Sequence, residues 1–294
     1  MIRRVRYKDI DFKKYVACVD LSSQRNFYAK KEILDFLTKN SWELLVEGDY
    51  EAVMPIPVKK KFGFSYVYMP LFCQQLGIFS LQFDANVEEQ FLKEFEKNYK
   101  IQGYFFNEKN TLKSHLEVRK NYIIHPTEYA LLRKKYFKGR KSTVKSAQNF
   151  SLQKVSFDER IKAFICENFK GLSSKEEVQK YIDYLQFLDS KKLLLLYGAT
   201  DEILELCNVA LLISTKEELS LLGLINKEKY LKKNGASFLI DQIIQKHIPT
   251  KSLNMMGGSI RGIEVFFKSF GADCHEYPFI YQSKFDFLRS FLKF

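Results

Sequence analysis

Residues 193–225, LLLLYGATDEILELCNVALLISTKEELSLLGLI, decide the fold of the second half of the chain. Residues 192–197 and 205–214 are apolar runs of strand length, separated by turn-forming residues at 198–202. A second turn leads into a third apolar run at 219–225. The stretch therefore predicts a hairpin followed by a third strand of the same sheet.

Apolar residues at helical spacing predict helices on both sides of these strands. Phe238, Leu239 and Ile243 belong to one such pattern, which begins directly after Asn234-Gly235. The predicted order of this half is β-α-α-β-β-β-α-β-α-β. Its elements are a strand at 151–156, helices at 157–170 and 174–187, the three strands above, a helix at 236–247, a strand at 251–256, a helix at 262–270 and a strand at 274–281.

The first half of the sequence has a similar order of elements, and its block 43–70 corresponds in character to 193–225. A long helical pattern at 127–148 joins the halves. We therefore predict an α+β fold with two tandem domains, 1–126 and 127–294, each a mixed, mostly antiparallel sheet flanked by helices. The first-half elements are strands at 3–6, 43–47, 50–58, 64–70, 101–106 and 122–124 and helices at 12–19, 29–38 and 87–98.

Composition limits the classes of function. No apolar run approaches the ~20 residues needed to span a bilayer, and no signal core follows the basic start, so we expect a cytoplasmic protein. The five cysteines and four histidines show no disulfide framework or metal-ligand spacing, so no metal is expected. The net charge of +12 indicates either an anionic partner or a lysine-rich surface.

Two segments resemble a known superfamily. They are Trp42-Glu43-Leu44-Leu45-Val46, continuing through Tyr68-Met69-Pro70 to Gln74-Gln75-Leu76-Gly77, and the segment 253–272 with its Gly257-Gly258-Ser259. Together with the element order, they are similar to GNAT acyltransferases. The tandem arrangement resembles the Fem-type aminoacyltransferases and related Bacteroidetes-type GNAT-like proteins.

The resemblance implies a cofactor loop. GNAT enzymes hold the coenzyme A pyrophosphate on a glycine-containing turn that opens a helix, where backbone N–H groups and the helix dipole attract phosphate. The similar turn here contains Lys232, Asn234, Gly235 and Ser237. These four residues are the candidate acyl-CoA site, and the alternative interpretation is an ordinary helix start capped by Asn234 or Gly235.

Other candidate residues follow from the same resemblance. Gln74 and Gln75 would present amides to a substrate, and Gly257, Gly258 and Ser259 would allow close ligand approach or simply form a tight turn. Lys268 matches a lysine of the Fem-type pattern and would bind a phosphate or carboxylate, unless it is merely solvated. Phe267 stands where GNAT enzymes often place a tyrosine acid, so no catalytic residue is identified; Tyr68, Glu205 or a water remain alternatives.

A basic face is predicted on the linking helix. Lys134, Lys138, Lys141 and Lys145 are spaced by 4, 3 and 4 residues and would share one side of a helix. Such a row would bind a phosphate chain or nucleic acid, or would be a solvated surface.

Two functions remain open at this point. The first is an N-acyltransferase that moves an acyl or aminoacyl group from acyl-CoA, or from aminoacyl-tRNA, to an amine acceptor. The second is a catalytically silent protein with the same fold that binds an anionic ligand or nucleic acid.

Overall fold

The computed structural model describes residues 1–61, 63–82, 84–112, 116–147, 149–283 and 286–287. Contacts within the chain define two compact units: unit 1 is Met1–Arg119 with Glu276–Phe294, and unit 2 is Lys120–His275. The chain passes between the units inside strand β7 (Glu117–Ile124) and again inside strand β13 (Asp273–Tyr281). The predicted domains, 1–126 and 127–294, therefore stay a prediction, because the units are not separated by a single cut.

Unit 1 contains a sheet in which β1 to β4 follow one another in space, with β5 beside β3. All of these pairs are antiparallel. A parallel bridge joins Val67 to Ile101, and β6 pairs with residues 279–281 of β13. The elements are β1 (Ile2–Arg6), α1 (Phe12–Leu21), α2 (Lys31–Thr38), β2 (Trp42–Glu47), β3 (Ala52–Lys61), β4 (Phe64–Val67), β5 (Phe79–Ser80), α3 (Ala85–Asn98) and β6 (Gly103–Phe105).

Local signals account for the helices of unit 1. The Asp11 carboxylate accepts hydrogen bonds from the backbone N–H groups of Lys13 and Lys14 and so caps α1. Helix α2 ends at Lys39, which has a left-handed conformation. Fully buried aromatic side chains, Tyr15, Trp42 and Phe95 among them, fill the core against the sheet.

Unit 2 contains one mixed sheet with the order β13-β7-β12-β11-β10-β9-β8. β11 and β12 pair in parallel. The pairs β7–β12, β11–β10, β10–β9 and β9–β8 are antiparallel. The remaining elements are α4 (Tyr129–Lys135), α5 (Lys138–Ser146), β8 (Ser151–Val155), α6 (Glu159–Asn168), α7 (Lys175–Ser190), β9 (Leu194–Thr200), β10 (Leu206–Ser214), β11 (Glu218–Asn226), α8 (Gly235–His247), β12 (Ser252–Asn254) and α9 (Arg261–Lys268).

Helix α8 is the central helix of unit 2. Its apolar side chains Leu239, Ile240, Ile243 and Ile244 are almost completely buried, and they form one cluster with residues of β9, β10 and β12. Burying side chains of this kind contributes about 1.5–3 kcal/mol each. The core therefore fixes the position of the first turn of α8 relative to the ends of the strands.

The predicted fold class is confirmed, with two corrections. The helix predicted at 127–148 is wrong as a single element: it is two helices, α4 and α5, with extended backbone at Tyr136 and Phe137. Tyr136 is buried against Phe270, and the N–H of Phe137 donates to the carbonyl of Ser269. These tertiary contacts outweigh the local helical pattern.

The second correction concerns strand pairing. The strand predicted at 122–124 belongs to β7, and its residues Ile123 and Ile124 pair with β12 of the second half of the sequence. The end of β13 pairs in turn with β6 of the first half. Each half therefore contributes a strand to the other unit, which chain order alone does not indicate.

Within the ranges that the structure describes, no helix has both the length and the apolar character needed to cross a membrane. The five cysteines are free thiols; Cys18, Cys73 and Cys207 are buried, and Cys166 and Cys274 are exposed.

Candidate functional site

The candidate site of unit 2 lies beside the ends of the parallel strands β11 and β12. β12 pairs with β11 only over residues 218–220, and β11 then continues to Asn226. A bulge in the pairing with β10, next to Leu212, bends β11 at this point. β12 ends at Asn254, opposite Ser220, so the loop after β12 begins six residues before the end of β11 on the same side of the sheet.

The loop after β11 is tightly anchored. The Tyr230 hydroxyl donates to carboxylates of Asp201 and Glu205, which lie in the β9–β10 turn. Lys227 and Lys229 contact the same Glu205 carboxylate at 2.6 and 2.5 Å. Hydrogen bonds from Lys227 and Lys229 lower the pKa of Glu205 to about 2. The loop that leads into α8 is therefore held in one conformation.

The first turn of α8 has no side-chain cap. Asn234 precedes the helix with φ 62°, and its amide donates to the Ser146 hydroxyl at 3.2 Å instead of capping the helix. Asn234 is therefore the N-cap residue of α8, but its side chain makes no capping hydrogen bond. Backbone N–H groups at an uncapped helix start are available to an external anion.

The other residues of the predicted cofactor loop have different surroundings. Lys232 is exposed on a 3-10 turn, Glu228–Lys233. A Cβ atom on Gly235 would lie 2.0 Å from Oδ1 of Asn208, so this glycine is required for packing against β10. Ser237 is buried, and its hydroxyl accepts a hydrogen bond from Arg140.

Arg140 places a positive charge at the first turn of α8. Its guanidinium donates to Ser237 and, at 2.8 Å, to Ser269, and it lies 4.5 and 4.6 Å from the ring centroids of Phe266 and Phe270. Burial lowers the pKa of this guanidinium. No carboxylate lies within ion-pair distance of it among the described residues.

This arrangement is electrostatically unusual. The N-terminus of a helix carries a partial positive charge and is stabilised by anions. The first turn of α8 contains no acidic residue, while Lys232 and Lys233 immediately precede it and Arg140 contacts it. An anion bound there would be attracted by all of these groups.

The loop after β12 has a strained backbone. Met256, Gly257 and Gly258 have φ values of 55°, 128° and 142°. A Cβ atom on Gly258 would lie 2.3 Å from the ring of Tyr122, whereas a Cβ on Gly257 would meet nothing within 4 Å. Ser259 is exposed. Gly258 is therefore required by contact with Tyr122, and the surroundings of Gly257 are open.

Lys268 belongs to a charged cluster around Glu264. The Glu264 carboxylate is 2.7 Å from the Lys268 ammonium, 2.9 Å from the Tyr122 hydroxyl and 3.1 Å from the Lys120 ammonium. Hydrogen bonds from Lys268, Tyr122 and Lys120 lower the pKa of Glu264 to about 2. Lys268 therefore contacts a carboxylate of its own helix, and Glu264 is not basic enough to accept a proton near neutral pH.

We expect Glu264→Gln to change how stability depends on pH. Because the folded-state pKa lies below the ordinary 4.5, Glu264 stabilises the fold above about pH 4.5, and this contribution is lost as the pH falls toward about 2. Denaturant unfolding of both proteins should therefore show a difference at about pH 7 that shrinks by about pH 3.

Glu202→Gln is the matched control, since Glu202 is an exposed carboxylate with no ion pair in the described part of unit 2. A difference for Glu264→Gln that stays constant down to about pH 3 would contradict the assignment.

The other candidate residues do not form one cluster with these. Gln74 and Gln75 belong to unit 1, and Gln75 is buried with its side-chain Oε1 accepting from the N–H of Glu108 at 3.0 Å. Lys134 lies on α4 and the lysines at 138, 141 and 145 lie on α5, so the predicted single helical row is interrupted. The ammonium of Lys141 donates to the Lys134 carbonyl.

The proposed sources of acid and base have structural partners. Phe267 is buried and packs against Tyr122. Burial raises the pKa of Tyr68, in unit 1, to about 12. The Glu205 carboxylate is occupied by the anchoring contacts of the loop. Neither Tyr68 nor Glu205 is thus an evident proton carrier near neutral pH, and Phe267, at the expected tyrosine position, has no proton to donate.

Sequence patterns did not identify Arg140 or Glu264 as site residues. Arg140 was one cation in a basic run, and only the fold brings it to α8. For Glu264 a weak signal existed, because Glu264 and Lys268 have the i,i+4 spacing of a helical ion pair.

The sequence matches no family model and no curated protein. Solved structures with the same fold include FemX (11% identity, TM-score 0.61, covering 94% of this chain and 96% of that one). A conserved protein of unknown function from Bacteroides thetaiotaomicron has 12% identity and a TM-score of 0.56, with coverage of 95% and 99%. A tandem GNAT protein from the clavulanic acid biosynthesis pathway has 7% identity and a TM-score of 0.55, with coverage of 95% and 97%. The chain therefore shares its fold with FemX and with a tandem GNAT protein.

Proposed function

We propose that this protein is an N-acyltransferase that binds the phosphates of an acyl-CoA at the first turn of α8 and transfers the acyl group to an amine. The observation that carries the proposal is the concentration of Arg140, Lys232 and Lys233 at an uncapped helix start without an acidic residue. Phosphate is the group that such a site favours.

The shape of the sheet supports the same conclusion. β12 ends at Asn254, opposite Ser220, while β11 continues to Asn226, and the loop at Gly257 has open space beside it. An acyl chain beginning near the phosphates would enter the gap between these two strand ends. FemX and the tandem GNAT protein share this fold, which adds weight to acyl transfer without identifying donor or acceptor.

The reaction would form a C–N bond between a neutral amine and the thioester carbonyl carbon, and would break the C–S bond. The proton lost by the amine would go to the coenzyme A thiolate, directly or through water. Backbone N–H groups at the strand ends would stabilise the oxyanion. Coenzyme A supplies the activated acyl group, and this chain supplies binding, orientation and exclusion of water.

Binding of acetyl-CoA tests the proposal directly. A ligand at ~100 times its dissociation constant adds ~2.7 kcal/mol to the free energy of unfolding. We expect acetyl-CoA to raise the melting temperature of the full chain, and expect Lys232→Gln combined with Lys233→Gln to weaken binding about tenfold, or ~1.4 kcal/mol.

Lys216→Gln is the matched control, because Lys216 is exposed in the turn before β11, at the other end of that strand. It should bind acetyl-CoA like the unchanged protein. If millimolar acetyl-CoA leaves the melting temperature unchanged, or the control loses as much affinity as the double variant, the proposed cofactor site is refuted.

The alternative is a catalytically silent protein that binds an anion at the same place. It is favoured by one observation, namely that the position of the expected tyrosine acid is the buried Phe267. Binding of acetyl-CoA without acyl transfer to any of a panel of primary amines would support this alternative. An aminoacyl-tRNA donor would show instead as salt-dependent binding of charged tRNA and transfer of the aminoacyl group.

A further inference from the structure

A small cavity lies along α8, beyond the first turn that the proposed acyl-CoA site uses. Its volume is about 270 Å³, just below the roughly 300–1,000 Å³ of pockets for drug-sized ligands. All of its lining belongs to unit 2 and comes from α4, α5 and α8. The residues that matter here are Tyr129, Arg133, Val144, Lys145, Phe238 and Asp241.

The cavity contains a buried carboxylate with spare capacity to accept hydrogen bonds. Asp241 is 1% exposed. The Tyr129 hydroxyl donates to it, 3.0 and 3.1 Å from its two oxygens, and the hydroxyl of Tyr136 is close by. The nearest Arg133 nitrogen is 3.9 Å away, too far for a hydrogen bond. A carboxylate offers about four acceptor sites, so the single Tyr129 hydroxyl leaves Asp241 incompletely satisfied.

Cations with spare donors lie on the same cavity wall. The Arg133 guanidinium donates to the Tyr129 hydroxyl at 2.6 Å, which uses one of its five N–H groups. Lys145 is exposed and has no hydrogen bond or ion pair within the described part of the chain. The wall can therefore bind an anionic group without breaking the contact of Tyr129 with Asp241.

The remaining surface of the cavity is apolar. Val144 is buried and Phe238 is half-buried, and both line the space between α5 and α8. A ligand that fills the cavity must therefore combine a cationic donor, an anionic acceptor and a short apolar part. A ligand with one charge would satisfy only one side of the cavity.

We propose that this cavity binds a small, apolar α-amino acid as its zwitterion. The ammonium group would donate to Asp241, the carboxylate would contact Arg133 and Lys145, and the side chain would contact Phe238 and Val144. The site is separate from the proposed acyl-CoA site, and neither Arg140 nor Lys232 contributes to it.

Calorimetric titration of the full chain tests the ligand chemistry with three probes. L-Valine carries both charges, 3-methylbutanoate is the same molecule without the amino group, and 2-methylpropylamine is the same molecule without the carboxylate. We expect L-valine to bind, and each analogue to bind at least tenfold more weakly. Equal binding of either analogue, or no binding of L-valine at millimolar concentration, would overturn the proposal.

Variants test the residues. Asp241→Asn keeps the shape and still accepts from Tyr129, but it removes the charge, and we expect at least a tenfold loss of L-valine affinity. Lys145→Gln, at an exposed position that does not endanger folding, should weaken binding severalfold. Lys138→Gln, on the same helix but outside the cavity, should have no effect. Unchanged binding in Lys145→Gln and Asp241→Asn would refute the site, whatever the acetyl-CoA titration shows.

Discussion

Gly258→Ala should destabilise unit 2 by about 2–6 kcal/mol. The added Cβ would lie 2.3 Å from the Tyr122 ring, and overpacking of this kind costs about 1–3 kcal/mol. The φ of 142° adds backbone strain of about 1–3 kcal/mol for a residue other than glycine. Denaturant unfolding, monitored by circular dichroism, measures the change.

Two neighbouring glycines serve as controls that separate the causes. Gly257→Ala carries the strain of φ 128° but meets nothing within 4 Å, so it should cost about 1–3 kcal/mol. Gly262→Ala is in the first turn of α9 with open space around it, and should be neutral or slightly stabilising. If the Gly258 variant is as stable as the Gly257 variant, a Cβ atom at position 258 does not clash with the Tyr122 ring.

The same substitution should alter the charged cluster of α9. Tyr122 donates to Glu264 at 2.9 Å, and a displaced Tyr122 ring would lengthen that hydrogen bond. Because this hydrogen bond is one of those that lower the pKa of Glu264, the pKa should rise toward its ordinary value. The loop after β12 thus links backbone conformation to the electrostatics of the site.

Local sequence signals predicted the elements around this site well. The run of β9, β10 and β11, the helix after Gly235 and the short strand β12 all appear close to their predicted positions. They were predictable because hydrophobic period and turn residues are properties of neighbouring positions. The same holds for the glycines of the loop after β12.

Interactions between distant positions were not predictable from one sequence. The break at Tyr136 and Phe137 depends on Phe270 and Ser269, more than 130 positions away. The contact of Arg140 with Ser237, 97 positions away, and the pairing of β7 with β12 also join distant parts of the sequence. Spacing therefore predicted a regular row of lysines. Arg140, which contacts the first turn of α8, belongs to the same basic stretch of sequence but not to that row.

Arg140→Met should separate anion binding from stability. Methionine keeps an apolar contact with Phe266 and Phe270 but removes the charge. Without ligand, the loss of three hydrogen bonds to hydroxyl groups is partly offset, because a cation no longer faces the positive end of α8. We expect the free energy of unfolding to fall by no more than about 1.5–3 kcal/mol, the contribution of a single hydrogen bond to a charged group.

With ligand, the same variant should be strongly impaired. The guanidinium lies at the first turn of α8, and a hydrogen bond to a charged group contributes about 1.5–3 kcal/mol, so acetyl-CoA affinity should fall by tenfold or more. Arg140→Lys keeps the charge but loses the planar guanidinium and its stacking on the aromatic rings. Its affinity for acetyl-CoA should lie between those of the unchanged protein and Arg140→Met. Lys138→Met, an exposed position on the same helix, should retain both stability and affinity. A large loss of stability without ligand would make Arg140 a structural residue, because its charge would then be stabilising the fold itself and would not require an anion.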